Sequence, residues 1–553
     1  MKKTLFKLTS ILIIITSLAG CKKLINNGYK NPNADVRVPV EQLLPGIIAS
    51  MVGNSAGHGP LNDIRFIGKY IQNFFNSAGG GQYDQMGGTI GASDNAASLW
   101  RIHYYDIGQN CMNMIAWGTE EKKWDYVGVG KAIFAWSWLQ LTDYHGEIIQ
   151  REAFNTSQLT FKYDSQAVVY DYVRKLSYDA LNYLNKTGDG VSQTNLALGD
   201  QYFYNGDVTK WKKFVYGILA RSYNHLSNKA SYNADSVIYY CNLSINNIAD
   251  NASVKFGYSG GTSGSANFYG PLRGNLANPT IGVETAIRQS DFIARLESGL
   301  NSRFPGVMDP RAWYLLRPNA VGTFKGITLN KGESVMAAND RPESFYGISQ
   351  TAAVVNTVPG TDANCRYLFR NTSDIPVLTS SEIAFMKAEA AFRKGDKSNA
   401  LTAYTKGISD NFDMLSINYS TNVPAVNLIT PSSKAAYLSN TAIVPATSAE
   451  LTLSHILLQK YVALYIHGAL ETWVDMRRYH YIDPDPSNTS SQVYADFAPP
   501  SGTDLFSANQ PNKLVYRVRP RYNSEFVWNF NELVRIGADQ LDYHTKEQWF
   551  SMP

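Results

Sequence analysis

The sequence predicts an all-α fold of tetratricopeptide-like helical pairs interrupted by long irregular loop insertions. Two patterns point there. Apolar residues recur at three- and four-residue spacing through segments that follow one another in pairs. Within the pairs a small residue precedes an aromatic one by four positions, as in Ala132-x-x-x-Trp136, Ala388-x-x-x-Phe392 and Ala400-x-x-x-Tyr404. A small residue admits a neighbouring helix while the aromatic fills the next groove, which is the packing rule of tetratricopeptide repeats. Between the pairs lie stretches too rich in Gly, Ser, Thr, Asn and Pro to hold regular elements.

The chain begins with a processing segment, residues 1–20. Lys2, Lys3 and Lys7 precede a short apolar run, Ile11 to Leu18, that cannot span a bilayer. Leu18-Ala19-Gly20-Cys21 looks like a bacterial lipobox, which makes Cys21 the acylated first residue of the mature chain. Acyl chains contribute about 0.8 kcal/mol per buried CH₂, so a multiply acylated cysteine holds a protein on a membrane without a spanning helix. Residues 21–40 are polar, carry Asn-Asn-Gly and Asn-Pro-Asn turn signals, and read as a lipidated tether. The rest, 41–553, reads as a single body.

In that body helices are expected over Gln42–Val52, Asp63–Asn76, Leu99–Trp117, Tyr126–Tyr144, Asp164–Asn185, Val208–Ser227, Ser380–Arg393 and Ser398–Ser409. Residues 77–97 are too glycine-rich for an element, and the G-x-x-x-x-G-K-[ST] phosphate loop is missing. Irregular excursions occupy about 250–379 and 411–449. Ser454 to Tyr481 reads as one long helix with apolar residues on two sides. Gly468 at its middle costs roughly 1 kcal/mol against alanine, which suggests close approach of a neighbouring helix. Its end gathers Glu471, Trp473, Asp475, Arg477 and Arg478, either an ion-paired helix terminus or a site.

Composition narrows the function. The formal charge of +4 falls to 47 basic against 46 acidic residues once the three signal lysines are removed, and no basic stripe exists, so nucleic acid is not a partner. Cys111, Cys241 and Cys365 are odd in number without C-x-x-C spacing, which fits neither a disulfide framework nor a zinc site. H-E-x-x-H is absent. His455 and His467, twelve apart on one expected helix, would stand about 18 Å apart along it and could not share a metal. His145 and Glu147 form an acid/base pair only on paper, since a turn between helices explains both. No cofactor or metal is called for; calcium ordering the loops is left open.

A resemblance then covers the mature chain. Gln459-Lys460-x(10)-Glu471-x-Trp473-x-Asp475-x-Arg477-Arg478 resembles the signature helix of the SusD/RagB family, nutrient-binding outer-membrane lipoproteins of Bacteroidetes-type bacteria. Trp100-x-x-x-Tyr104-Tyr105 resembles the family's first repeat helix. Leu141 to Ile148 with Glu152-Ala153-Phe154 resembles the turn after its partner, except that the usual Pro is replaced by Ile148 or Ile149. Asp309-Pro310-Arg311, the segment Pro376 to Ala390, and Pro520-Arg521-Tyr522-Asn523-Ser524-Glu525-x(3)-Asn529 match later motifs in order.

The resemblance implies a non-catalytic lid over a SusC-like TonB-dependent transporter. The lid would be lipid-anchored and surface-facing on the outer membrane, and would pass an oligosaccharide or polysaccharide to the barrel. A peptide-binding member and a surface glycan hydrolase are the alternatives. Glycan capture needs aromatic platforms beside amide, carboxylate or guanidinium groups. Aromatics in irregular stretches are the candidates: Tyr83 first, then Phe268 with Tyr269, Phe345 with Tyr346, and Trp100 directly after the glycine-rich loop, each with core packing as its alternative. Trp136, Trp138, Trp211 and Trp473 are assigned to the core.

Overall fold

Where apolar residues recur on one face the chain coils, and each helix buries that face against its successor. In the computed structural model, which describes residues 37–53, 63–80, 83–87, 96–257, 266–273, 287–349, 358–503 and 505–553, the fold is mainly α. Helix Trp124–His145 packs on Gln166–Leu184, Val208–Asn224 on Ala234–Leu243, and Ser380–Arg393 on Lys397–Asn418. Every residue of Trp124–His145 except Trp124 and Lys131 is buried, so this helix is gripped all round and lies at the centre of the stack. The small-residue rule operates physically in the last pair. A Cβ on Gly407 would lie 2.9 Å from the Phe385 ring, so the phenyl seats against bare backbone. Thr379 and Asp396 cap that pair through the N–H groups of Glu382 and Asn399, each cap contributing about 1 kcal/mol. Cys21 and the tether to residue 36 lie outside the described residues.

Among the described residues there are three two-stranded antiparallel sheets, two of which join distant segments of the chain while the third is a local hairpin. β1 (Phe74–Asn76) pairs with β3 (Ile287–Gln289), β2 (Ala252–Val254) with β4 (Ile375–Leu378), and β5 (Pro484–Asp485) with β6 (Asn488–Gln492).

Four boundaries differ from the sequence expectation. The helix expected over Asp63–Asn76 stops at Tyr70. Gln72 turns to φ +60°, and the Phe74 ring folds back to within 2.4 Å of where a Cβ on Gly68 would sit, so Phe74–Asn76 leave as β1. The helix expected over Leu99–Trp117 forms, but Ile102–Gln109 are wound as a π-helix. The helix expected to end at Ser409 continues to Asn418, because Asp410, Asn411, Phe412, Met414 and Leu415 are buried too. The long helix over Ser454–Tyr481 is two, Leu453–Ala463 and Ala469–Arg478. Ile466 at φ +66° breaks it, an uncommon conformation for a β-branched residue, and Asn73 Oδ1 holds the break by accepting the Ile466 N–H at 3.1 Å. Gly468 therefore clears Leu464 of its own turn, 2.8 Å from a hypothetical Cβ, and not a neighbouring helix.

The charged end of this segment is an ion-paired core. Lys460 Nζ lies 3.2 Å from Glu471 and 2.7 Å from Asp475; Arg478 reaches Glu389 at 2.6 Å and Asp475 at 2.5 Å. Arg221 meets Glu382 at 2.6 Å, and His225 meets Glu471 at 3.0 Å and Asp143 at 3.3 Å. Burial by itself would lower the His225 pKa, but the Glu471 and Asp143 carboxylates outweigh it and raise the group to about 9. Arg477 stacks on Trp473, 3.7 Å from the ring centroid, and donates to Asp143 O at 2.7 Å and Tyr516 O at 2.8 Å. These pairs join helices of both halves of the stack.

Candidate functional site

Two loops can cross closely only where neither carries a side chain. Gly79 (φ +76°) and Gly332 (φ +69°) form such a crossing, since a Cβ on Gly332 would lie 2.4 Å from Gly79 N. Around it Glu333 N–H donates to Ser77 O at 2.7 Å and Gly80 N–H to Asn330 O at 3.3 Å. Below it Arg288 of β3 and Glu333 form a buried pair at 3.0 Å. Three residues on, Tyr83 is fixed from both sides. Its hydroxyl accepts Asn330 Nδ2 at 2.9 Å, and its neighbour Asp84 accepts Phe506 N–H at 2.8 Å and Asn509 Nδ2 at 2.9 Å. Burial pushes the Asp84 carboxyl up, against those hydrogen bonds.

The result is a cleft of about 380 Å³ where segments 72–83, 291–331 and 496–501 converge. Its volume lies within the roughly 300–1,000 Å³ of ligand sites. The floor is aromatic and sealed: Phe75, Tyr83 and Phe292 are buried. The rim is polar and open. Asp291 and Arg295 stand 4.0 Å apart, each side chain 49% exposed, and Lys331 and Asp496 are exposed beside them. Burial raises the Asp291 carboxyl while Arg295 pulls it down. Asp496, at φ +65°, accepts the Ser302 N–H at 2.6 Å and hydroxyl at 2.7 Å. Gln72 Nε2 donates to Ala498 O at 2.6 Å and Asn301 Nδ2 to Ala495 O at 2.8 Å, which locks the 496–501 segment onto the other two. Carboxylate, guanidinium, ammonium and amide groups around one opening suit a ligand rich in hydroxyls. Among the described residues no group of three His, Cys, Asp or Glu side chains is placed to hold a metal.

Of the six aromatics read from sequence, Tyr83 lines this cleft and Trp100 lines a separate groove between the first repeat helix and the C-terminal segment. The other four are packed. Phe268 and Tyr269 are buried edge to face at 5.9 Å, and Phe268 fills the space where Gly53 has no Cβ. Phe345 stacks on Phe369 at 4.4 Å and 11°, and Tyr346 is buried beside it. Protein therefore occupies the ring faces that a sugar would need at these four positions. Trp136, Trp138, Trp211 and Trp473 are in the core. His145 Nδ1 lies 3.0 Å from Val518 O and Glu147 pairs with Arg517, so each is engaged elsewhere. The rim residues Asp291, Arg295, Lys331 and Asp496 were missed by sequence reasoning. They sit far apart in the chain, and the only nearby signal was the Asn330-Lys331-Gly332 turn.

No helix among the described residues is long and apolar enough to cross a membrane. Residues 32–499 match the SusD-like family model described as starch-binding and associating with the outer membrane. A search of curated proteins returns no match. Among solved structures, a SusD/RagB family protein from Bacteroides thetaiotaomicron superposes with a TM-score of 0.65 at 18% identity, covering 93% of this chain and 99% of that one. A chitin-binding protein gives 0.66 at 18%, covering 93% and 100%. A chitin-binding SusD homolog from Flavobacterium johnsoniae gives 0.59 at 15%, covering 93% and 98%. Identities this low speak of shared fold, while the family match extends over most of the sequence. The chain belongs to the SusD-like family of non-catalytic, carbohydrate-binding proteins associated with the outer membrane.

Proposed function

We propose that the protein captures a glycan chain in the Tyr83 cleft and hands it to a SusC-like TonB-dependent transporter while anchored to the outer membrane through Cys21. The observation that carries this reading is the cleft itself. Three irregular segments converge there on a rigid helical scaffold, which is where binding residues concentrate, and they present hydroxyl-binding groups above an aromatic floor. All its lining residues but Ser501 fall within residues 32–499, the span of the family match. Two structural neighbours are described as chitin-binding, so oligomers of N-acetylglucosamine head the ligand list.

Calorimetry with hexasaccharides of β-1,4-linked N-acetylglucosamine, α-1,4-linked glucose and β-1,4-linked xylose tests it, with product analysis on the same samples. The expected outcome is saturable binding without cleavage. The double variant Arg295→Ala/Asp496→Ala should weaken it about tenfold or more, since a hydrogen bond to a charged group contributes about 1.5–3 kcal/mol. Cleavage products would instead favour a hydrolase, and undiminished binding by the double variant would move the site elsewhere.

A further inference from the structure

A second opening lies on the helical side, between segment 98–109 and the C-terminal segment 521–532. It holds about 600 Å³, with Trp100, Tyr104 and Glu525 toward its floor and Phe154 and Phe161 on its walls. Phe161 is also a wall of an adjoining hollow of about 460 Å³ that carries Trp528, Phe530 and Asn531. One of the two walls, 521–532, lies beyond the residues matched by the family model.

Three independent features mark this groove. First, the described residues contain two π-helical segments, Ile102–Gln109 and Tyr522–Phe526, and both wall it. π-Helical turns are rare and occur frequently at functional sites. Second, Phe154 is held at φ +64°, and its ring fits only because Gly108 of the π-helix has no side chain; a Cβ there would lie 2.6 Å from Phe154 Cζ. Strained backbone persists where its surroundings impose it, commonly around a ligand. Third, large rings stand open on the rim. Tyr105, with the Arg101 guanidinium 5.5 Å from its ring centroid, is 65%, Trp528 67% and Phe530 47% exposed, so three large rings stand on two adjoining hollows. Below them Glu525 is buried and fixed by the Tyr163 hydroxyl at 2.8 Å and Asn529 Nδ2 at 3.2 Å.

The lining also selects between ligand classes. A peptide added as a β-strand needs an unpaired strand edge, and the three two-stranded sheets among the described residues contribute no residue to either hollow. What lines the hollows instead is aromatic rings interspersed with Arg101, Glu152, Gln158, Lys162 and Asn531. Sugar rings present apolar faces edged by hydroxyls, and this alternation matches them. We infer that the groove is a second carbohydrate site, where pyranose rings stack on Tyr105 and Trp528 while the polar rim takes their hydroxyls. It lies apart from the Tyr83 cleft, with no lining residue in common. A polymer long enough to engage both would be retained more tightly than a hexasaccharide, because the second contact becomes intramolecular.

Hydroxyl-radical footprinting of the purified protein with the same three hexasaccharides reads the groove directly, and calorimetry counts the sites. The expected result is protection of Trp528 and Tyr105 by a bound sugar and two sites per chain. Tyr105→Ala/Trp528→Ala should reduce these to one, with the lost site weakened about tenfold or more. Both side chains are exposed, so the melting temperature should stay put, and that is measured alongside. If Arg295→Ala/Asp496→Ala abolishes all binding and no sugar protects Trp528, the cleft stands and the groove falls. If the reverse holds, the groove stands and the cleft falls. Absence of binding to every probe overturns both. Protection of Trp528 by the purified transporter, and by no sugar, also overturns the inference and assigns the face to a protein partner.

Discussion

The buried ion cluster and the Tyr83 cleft both draw acids and bases from distant parts of the chain, yet they treat charge in opposite ways. In the cluster Lys460, Arg478, Glu389 and Asp475 have side chains no more than 2% exposed, and every one of them is paired. In the cleft the Asp291–Arg295 contact is 4.0 Å long with both side chains about half exposed. Charges taken out of water are costly and stabilise only when fully paired, so the cluster fixes how helices meet. Charges left in water interact weakly with one another, so the rim stays available to a ligand. The cluster uses charge to fix geometry, and the cleft rim keeps its charge exposed.

Removing one partner from the cluster is the harshest way to break this contrast. Arg478→Ala leaves Glu389 and Asp475 buried without their guanidinium and should cost about 3–5 kcal/mol of unfolding free energy in urea. Arg478→Lys should recover only part, because an ammonium cannot serve Glu389 in bidentate fashion as the guanidinium does at 2.6 and 2.9 Å. A loss below about 1 kcal/mol in the alanine variant would show that the cluster is incidental to stability. Gly332→Ala attacks the other half. Its φ of +69° and the 2.4 Å approach to Gly79 N leave no room for a methyl group, so a cost of about 1–3 kcal/mol is expected. Hydrogen exchange should place that cost in segments 77–80 and 330–333 while Ser380–Arg393 and Ala469–Arg478 keep their protection. Uniform loosening of both halves would mean that they do not yield separately.

Acidity sharpens the comparison, since the titrating groups belong almost wholly to the interior. Burial holds His103, His145, His455, His467 and His544 down to about 3. A histidine whose folded value lies below its unfolded value near 6.5 contributes stability above 6.5 that is lost as pH falls toward 3. His225, raised to about 9, and the half-buried His480, raised to about 10 by Asp483 and Glu547, have the opposite sign: their contributions are complete below 6.5 and are lost as pH rises through 9 and 10. Stability should therefore peak near pH 6.5, with a steep acid limb and a shallower alkaline one. Urea midpoints across pH 4–9.5 would show this, and His225→Gln should make the alkaline limb shallower, leaving the part due to His480. An unchanged alkaline limb in that variant would remove His225 from the cluster's charge balance.

How much of this was legible beforehand follows the same division. Helices Gln166–Leu184 and Ser380–Arg393 were readable to within two residues, because their packing faces are periodic in the sequence itself. The break at Ile466 was not, because it is imposed by Asn73, nearly four hundred residues earlier. The ion-paired reading of Glu471 to Arg478 needed only local charge density, whereas its partners Glu382, Glu389 and Arg221 could be found only in three dimensions. Aromatics in irregular stretches were a poor guide to open ring faces. Phe345 and Phe268 occur among Gly and Ser yet are core, because the excursion packs onto the scaffold: Phe345 joins the main apolar cluster and Phe268 sits against Gly53. Trp528 and Tyr105, the rings that stand open, lie in or beside helical segments where periodicity argues for burial. Tyr83, singled out for the density of glycine around it, does line a cleft, but its ring is buried beneath it, and the open positions belong to residues that carry no local signal.

The smallest expected effect is the most diagnostic of the cleft. Arg295 makes its 4.0 Å contact with Asp291 half in solvent; such a pair contributes little, so Arg295→Ala should change unfolding free energy by no more than about 0.5 kcal/mol. The helix that carries it is short, Asp291–Glu297, and is capped by Ser290, whose hydroxyl takes the Ile293 N–H at 3.3 Å. Deleting the guanidinium removes its one exposed hydrogen bond to Leu300 O at 3.2 Å and leaves this cap in place. If the rim exists for contact, glycan affinity should still fall, and the loss should persist at high salt, because a hydrogen bond to a hydroxyl is not screened as an ion pair is. A stability loss comparable with that of Arg478→Ala would place Arg295 with the cluster, and the contrast between the two regions would fail at the residue where it is most exposed.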